Sequence, residues 1–163
     1  RINSVFAELV LLYHLRTVYG RERVSLNARV GEKDFDLRLT TDEEDVWIEV
    51  TKPDFADSLS DGFGWGLPKT TQNSIDRKLK SKFEEARDRA PEDAILILGI
   101  YCEEQINQSF AMGQWLDEEY YDVGEICDGW LSYTHLVDTQ IGYQSFTDGG
   151  ERCRSLFDRM VGE

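Results

Sequence analysis

The stretch "VWIEVTKP", residues 46–53, decides how the fold is read. Val46, Trp47, Ile48 and Val50 are apolar and suited to a strand, yet Glu49 stands among them. A strand apolar on both faces belongs inside a sheet. A carboxylate buried there is costly unless it is paired or binds a metal. Side chains alternate between faces along a strand. Thr51 therefore shares the face of Glu49, while Lys52 points the other way in a regular strand.

Strands and helices extend outward from this point. "FDLRL", residues 35–39, reads as a neighbouring strand, with Phe35, Leu37 and Leu39 on one face and Asp36 and Arg38 on the other. Residues 24–30 alternate Val24, Leu26, Ala28, Val30 and complete a three-strand meander. Before it, residues 2–19 read as a helix with Ile2, Val5, Phe6, Leu9, Leu12 and Tyr13 at helical spacing, stopped by Gly20. After it comes a long loop, "KPDFADSLSDGFGWGLPKT", of a length that usually has a job or is disordered. Residues 71–90 read as a helix with Ile75, Leu79, Phe83 and Ala86 on one stripe, and "AILILGIY", residues 94–101, as a central strand. Residues 103–120 read as helical, "GWLSYTHLVDTQIGYQSF" as one or two strands, and residues 151–161 as a closing helix. The fold class is α/β: an αβββαβ core with a central mixed β-sheet flanked by helices, plus C-terminal strands and a helix.

Composition bounds the function. The 163 residues, 40% of them hydrophobic, suit one domain spanning 1–163. The chain begins at Arg1 without Met, as expected of a trimmed chain or an excised domain. No run approaches the ~18–20 apolar residues of a membrane span, so no membrane partner is expected. No signal-peptide pattern is read. Cys102, Cys127 and Cys153 form no CxxC pair, which argues against a zinc knuckle or disulfide framework and for a reducing cytoplasm. There are 32 acidic residues against 18 basic ones, a net charge of −14. Many acids and only six lysines resemble the composition of salt-loving microbes' proteins. An acidic protein ordinarily repels nucleic acid. At ~1 M salt the screening length falls to ~3 Å, and local contacts then decide binding. Acidity therefore does not exclude a nucleic-acid partner.

Several chemistries drop out. Two histidines, far apart, provide no HExxH, and there is no GxSxG elbow. "GFGWGLPKT" lacks the glycine before its lysine and reads as a surface flap, not a phosphate loop. What remains is carboxylates in apolar settings: Glu8, the only charge between Ile2 and Leu15, with Asp36 and Glu49. Adjacent strands bring Asp36 and Glu49 to one sheet end. Two carboxylates and water are hard ligands of the kind Mg²⁺ (or Mn²⁺) takes. A nearby lysine would stabilise developing negative charge. Together these describe metal-dependent phosphodiester hydrolysis.

"FDLRL", a polar turn, "VWIEVTKP", a helix carrying "IDRKLKSKFEEA" and the strand "AILILGI" resemble the PD-(D/E)xK nuclease superfamily. The resemblance spans residues 2–101, with 102–163 as an extension, and implies a restriction-endonuclease-like fold. It implies a metal-dependent nuclease acting on nucleic acid, DNA first, in repair, recombination or restriction. By that resemblance Asp36 and Glu49 are metal ligands, the Val50 carbonyl completes the metal shell, and Glu8 is the acid some members carry on the first helix. The motif lysine falls at position 51, where this chain has Thr51. Three readings stay open. Lys52 substitutes if the strand bulges or ends before Pro53, since a residue preceding proline is held extended. Alternatively the lysine has moved to the following helix, at Lys82 or Lys78. Otherwise catalysis is lost, leaving a DNA-binding or protein-interaction module.

Arg77, Lys78, Lys80 and Lys82 are the densest basic cluster, able to meet phosphates or to pair with Glu84, Glu85 and Asp88. Lys69 and Gln72 open the same helix as candidate substrate contacts. Phe63 and Trp65 in the loop could stack on bases, whereas Trp115, Tyr120, Tyr121 and Trp130 are expected to pack. The final third, from Gln105, either covers the sheet or builds a homodimer interface.

Overall fold

The computed structural model describes residues 4–30, 33–52, 69–102, 115–116, 126–134, 142–145 and 150–162. One six-stranded sheet organises them, in the order β1 to β6: Val24–Val30, Lys33–Thr40, Asp45–Thr51, Ile95–Tyr101, Gly129–Tyr133 and Gly142–Ser145. β1, β2 and β3 run antiparallel, β3, β4 and β5 parallel, and β6 antiparallel to β5. Helix α1 (Ser4–Tyr19) precedes the sheet. Between β3 and β4 lie α2 (Lys69–Lys78), a π-helical segment (Leu79–Glu84) and α3 (Glu85–Arg89), and α4 (Gly150–Val161) follows β6. The chain is an α/β protein with the αβββαβ order that the nuclease resemblance implies.

β4 shows why the sheet is mixed and central. All seven of its residues are buried, and they alternate between two cores. Ile95, Ile97 and Tyr101 join α1 and α4, through Ala7, Leu11, Leu15, Phe157 and Met160. Leu96, Leu98 and Ile100 join the other face, with Ile75, Leu79, Phe83 and Ala86 from the α2–α3 rod. A strand buried on both faces has no polar side, hence its unbroken apolar sequence. Trp115 and Trp130 are also buried in the second core, as the sequence suggests. Tyr133 and His14 fasten α1: Tyr133 donates to the Ala7 carbonyl at 2.8 Å, and His14 Nε2 meets the Met160 carbonyl at 2.6 Å.

Three expectations need correction. The α1 stripe of Val5, Phe6, Leu9 and Tyr13 is exposed, Tyr13 by 75%, and the buried face is Ala7, Leu11, Leu12 and Leu15. Helix α1 is apolar nearly all round, so several stripes fit its period and the docking surface selects among them. Among the β1 residues whose burial is described only Val24 is buried, and Leu26 is 39% exposed, because β1 is an edge strand. In β2, Phe35 does not share a face with Leu37 and Leu39. Phe35 packs against Trp47 and Phe83, whereas Leu37 and Leu39 lie under α1. The alternation breaks at Asp36. Opposite this break stands Asn27, whose φ of 49° is left-handed. Asparagine tolerates that region better than most residues. Arg38 keeps its expected face, stacked 4.5 Å over the Trp47 ring and paired with Asp45 at 2.8 Å.

The expected helix over 103–120 falls outside the described residues, apart from 115–116. So do the 53–68 loop with Phe63 and Trp65, and Tyr120 and Tyr121.

Candidate active site

β2 and β3 pair in register as far as Leu37↔Ile48. The next positions along the strands are Asp36 and Glu49. There the Asp36 carboxylate, not a β2 carbonyl, accepts the Val50 N–H at 2.7 Å. The ladder therefore opens at this point, and the Asp36 side chain is tied to the backbone next to Glu49.

Glu49 shares the Trp47 face and points toward the α2–α3 rod. It is 1% exposed. Both of its oxygens are met by lysines: Oε1 by Lys78 Nζ at 2.9 Å and Oε2 by Lys82 Nζ at 2.5 Å. Lys78 also donates to the Val50 carbonyl at 2.6 Å. The register of the rod explains this reach. Ile75, Leu79 and Phe83 are its buried line, and each lysine immediately precedes or borders a member of that line. Lys82 lies within the π-helical segment, a wider turn found frequently at functional sites.

The electrostatics agree with the geometry. The Glu49 carboxyl is pushed above its ordinary range, chiefly by burial. Lys78 counteracts that shift, Asp36 adds to it, and Lys82 opposes it through its hydrogen bond. Glu8 on α1 is raised by partial burial, then by Asp36 and Glu49, with Lys78 and Lys82 opposing. All three acids and both lysines thus lie in one field at the sheet end. Tyr133 belongs to the same neighbourhood and was missed from sequence. Burial, Asp36 and Glu8 hold its hydroxyl well above the ordinary range. Nothing in "GWLSY" distinguishes that tyrosine from a packing residue.

The other candidates lie at the end of β3 and along α2. Lys52 follows the end of β3 and is half-buried, and the two Glu49 oxygens are met by Lys78 and Lys82. Thr51 ends β3, next to Ile100 of β4. Lys69 donates to Gln72 at 3.3 Å near the start of α2. Gln72 precedes Lys78 by six residues, about 9 Å of helix axis at ~1.5 Å per residue. Of the remaining bases, Lys80 pairs with Asp76 at 3.1 Å, and Arg77 is exposed.

The donor atoms are of the chemical type a hard dication takes. Asp36, Glu49 and the Val50 carbonyl offer oxygens at one strand end, and Mg²⁺ commonly takes one or two carboxylates while keeping several waters. Among the described residues no group of three or more His, Cys, Asp or Glu side chains is placed to hold a metal ion.

No family model matches the chain, nor does any curated protein. Among solved structures, the chain is similar to that of SfsA from Pyrococcus furiosus in complex with Ca²⁺. The identity is 15% and the TM-score 0.32, over 86% of this chain and 60% of the other. A likeness that slight assigns neither family nor function. No described helix is long and apolar enough to cross a membrane.

Proposed function

We propose that this chain is a metal-dependent nuclease of the PD-(D/E)xK type that hydrolyses phosphodiester bonds, with DNA as the first substrate to try. One observation carries the reading. A carboxylate that is 1% exposed sits beside a second carboxylate and under two lysine ammoniums, in an αβββαβ core. In this reading Asp36, Glu49 and the Val50 carbonyl hold Mg²⁺ or Mn²⁺. The metal supplies Lewis acidity and a water that ionises more readily. Lys82 fills the role that the resemblance gives to position 51, placing positive charge where the phosphoryl oxygens become more negative. Asp36 accepts the Val50 N–H and so fixes the peptide plane between Glu49 and Val50. Glu8 adds negative charge on the α1 side and keeps the site attractive to a dication.

The test is cleavage of plasmid, linear and single-stranded DNA, and of RNA, with Mg²⁺ or Mn²⁺ across a KCl series. Glu49→Gln and Lys82→Met are expected to lose roughly 10²–10³-fold in rate, the loss typical of removing a transition-state charge partner. Equal rates for wild type and Glu49→Gln would end the reading.

A second reading is favoured by Thr51 and by the neutralisation of both Glu49 oxygens. Here the fold is retained for DNA binding or protein contact without cleavage. It predicts DNA binding that Glu49→Gln leaves unchanged and no metal-dependent product.

A further inference from the structure

Lys78 does two things at once. Its ammonium sits on Glu49 Oε1 at 2.9 Å and on the Val50 carbonyl at 2.6 Å. Lys82 takes the other Glu49 oxygen. These are two of the three groups proposed above as metal ligands. A dication on these oxygens would lie close to both ammoniums, and like charges so near one another repel. Something must withdraw, and burial decides which. Glu49 is 1% exposed and anchored in β3, whereas the lysine side chains are 32% and 27% exposed on long flexible stems. The lysines are the partners able to move.

A withdrawn lysine can turn to solvent, and an anion beside the metal would hold it at the site. The field at this end of the sheet is otherwise made of carboxylates, and a dication held by Asp36 and Glu49 repels both ammoniums. A phosphodiester supplies anionic oxygens next to the metal. We infer that Lys78 and Lys82 form a latch that stands in for the metal, so that divalent metal and phosphodiester load the site cooperatively. The inference rests on the nuclease reading of the site and adds its order of assembly. By linkage the effect is reciprocal: whatever factor DNA adds to metal affinity, metal adds to DNA affinity.

The test is calorimetric titration of Mn²⁺ into the protein, with and without a short DNA duplex carrying hydrolysis-resistant phosphorothioate linkages. In wild type the duplex is expected to tighten Mn²⁺ binding about fivefold or more, the lower end of typical couplings. Lys78→Met is expected to bind Mn²⁺ more tightly without duplex and to lose most of the duplex effect. Lys80→Met removes the same charge two residues away, where Lys80 pairs with Asp76, and is expected to change either quantity by less than about twofold because exposed charges are screened. If Lys78→Met does not fold, the wild-type pair of titrations still decides. Equal Mn²⁺ affinity with and without duplex overturns the latch, even where Glu49→Gln abolishes Mn²⁺ binding and so leaves the metal site standing. If Glu49→Gln binds Mn²⁺ as wild type does, the metal site and the latch fall together.

Discussion

The Glu49 side chain is 1% exposed, whereas Lys78 and Lys82 are 32% and 27% exposed. Breaking this contact from its two sides is therefore not equivalent. Glu49→Gln leaves two lysines that can turn to solvent. The double variant Lys78→Met/Lys82→Met leaves a buried charge with no ammonium. We expect the double variant to lose about 3–5 kcal/mol in urea denaturation, as for other uncompensated buried charges. Glu49→Gln should match or exceed wild-type stability, because burial outweighs the lysines in setting the Glu49 shift. A gain of ~1 kcal/mol would appear as about 2–4 °C in Tm for a chain of this size. The pH dependence follows from the same shift. The Glu49 pKa is raised in the folded chain above 4.5, so the folded state holds this proton more tightly than the unfolded state. That contribution to stability is complete below pH 4.5 and is lost as pH rises through the raised value. Melts of wild type and Glu49→Gln across that window should therefore diverge, with wild type falling more steeply as pH rises. Parallel curves would show that the burial of Glu49 carries no net cost.

β2 and the α2–α3 rod show what local sequence conveys about elements. Strand and helix positions were legible because "FDLRL" alternates apolar and charged residues in sequence and Ile75, Leu79, Phe83 and Ala86 keep helical spacing. The side of the sheet taken by Phe35 was not legible, since it depends on the backbone of a different strand, at Asn27. Asn27→Val is expected to cost about 1–3 kcal/mol, because a β-branched residue is strained at a φ of 49°. Asn27→Gly should be nearly neutral. If Val is tolerated as well as Gly, the face switch at Asp36 does not depend on that backbone. The π-helical segment was equally hidden, since the 4-4-3 spacing of the buried line also fits an α-helix. It is held by Phe83, fully buried and edge-on to Phe35 at 5.5 Å. Phe83→Ala should lose about 3–5 kcal/mol in urea denaturation. The candidate site was half legible. Asp36, Glu49 and Glu8 were marked by charge in apolar surroundings. The choice among Lys52, Lys78 and Lys82 required the docking of the rod on β3, which strand and helix periods do not encode.

The whole molecule carries 32 acids and 18 bases, and this excess shapes its response to salt. The described ion pairs are mostly surface contacts, such as Arg23–Asp42 at 3.0 Å and Arg29–Asp34 at 3.2 Å. Such pairs contribute little and are screened. With a net charge of −14, repulsion among acids outnumbers these attractions, so screening removes more repulsion than attraction. Tm is therefore expected to rise as KCl goes from ~0.1 M to ~1 M, over which the screening length falls from ~10 Å to ~3 Å. A flat or falling Tm would mean that self-repulsion is not a significant term. The same series separates surface from site. The Glu49 contacts are buried, and buried pairs are screened far less than exposed ones. Glu49→Gln should thus shift every melt by the same increment, whatever the KCl concentration. An increment that shrinks with salt would instead put Glu49 within the screened surface field, and its closeness to Lys78 and Lys82 would then count as one more surface pairing.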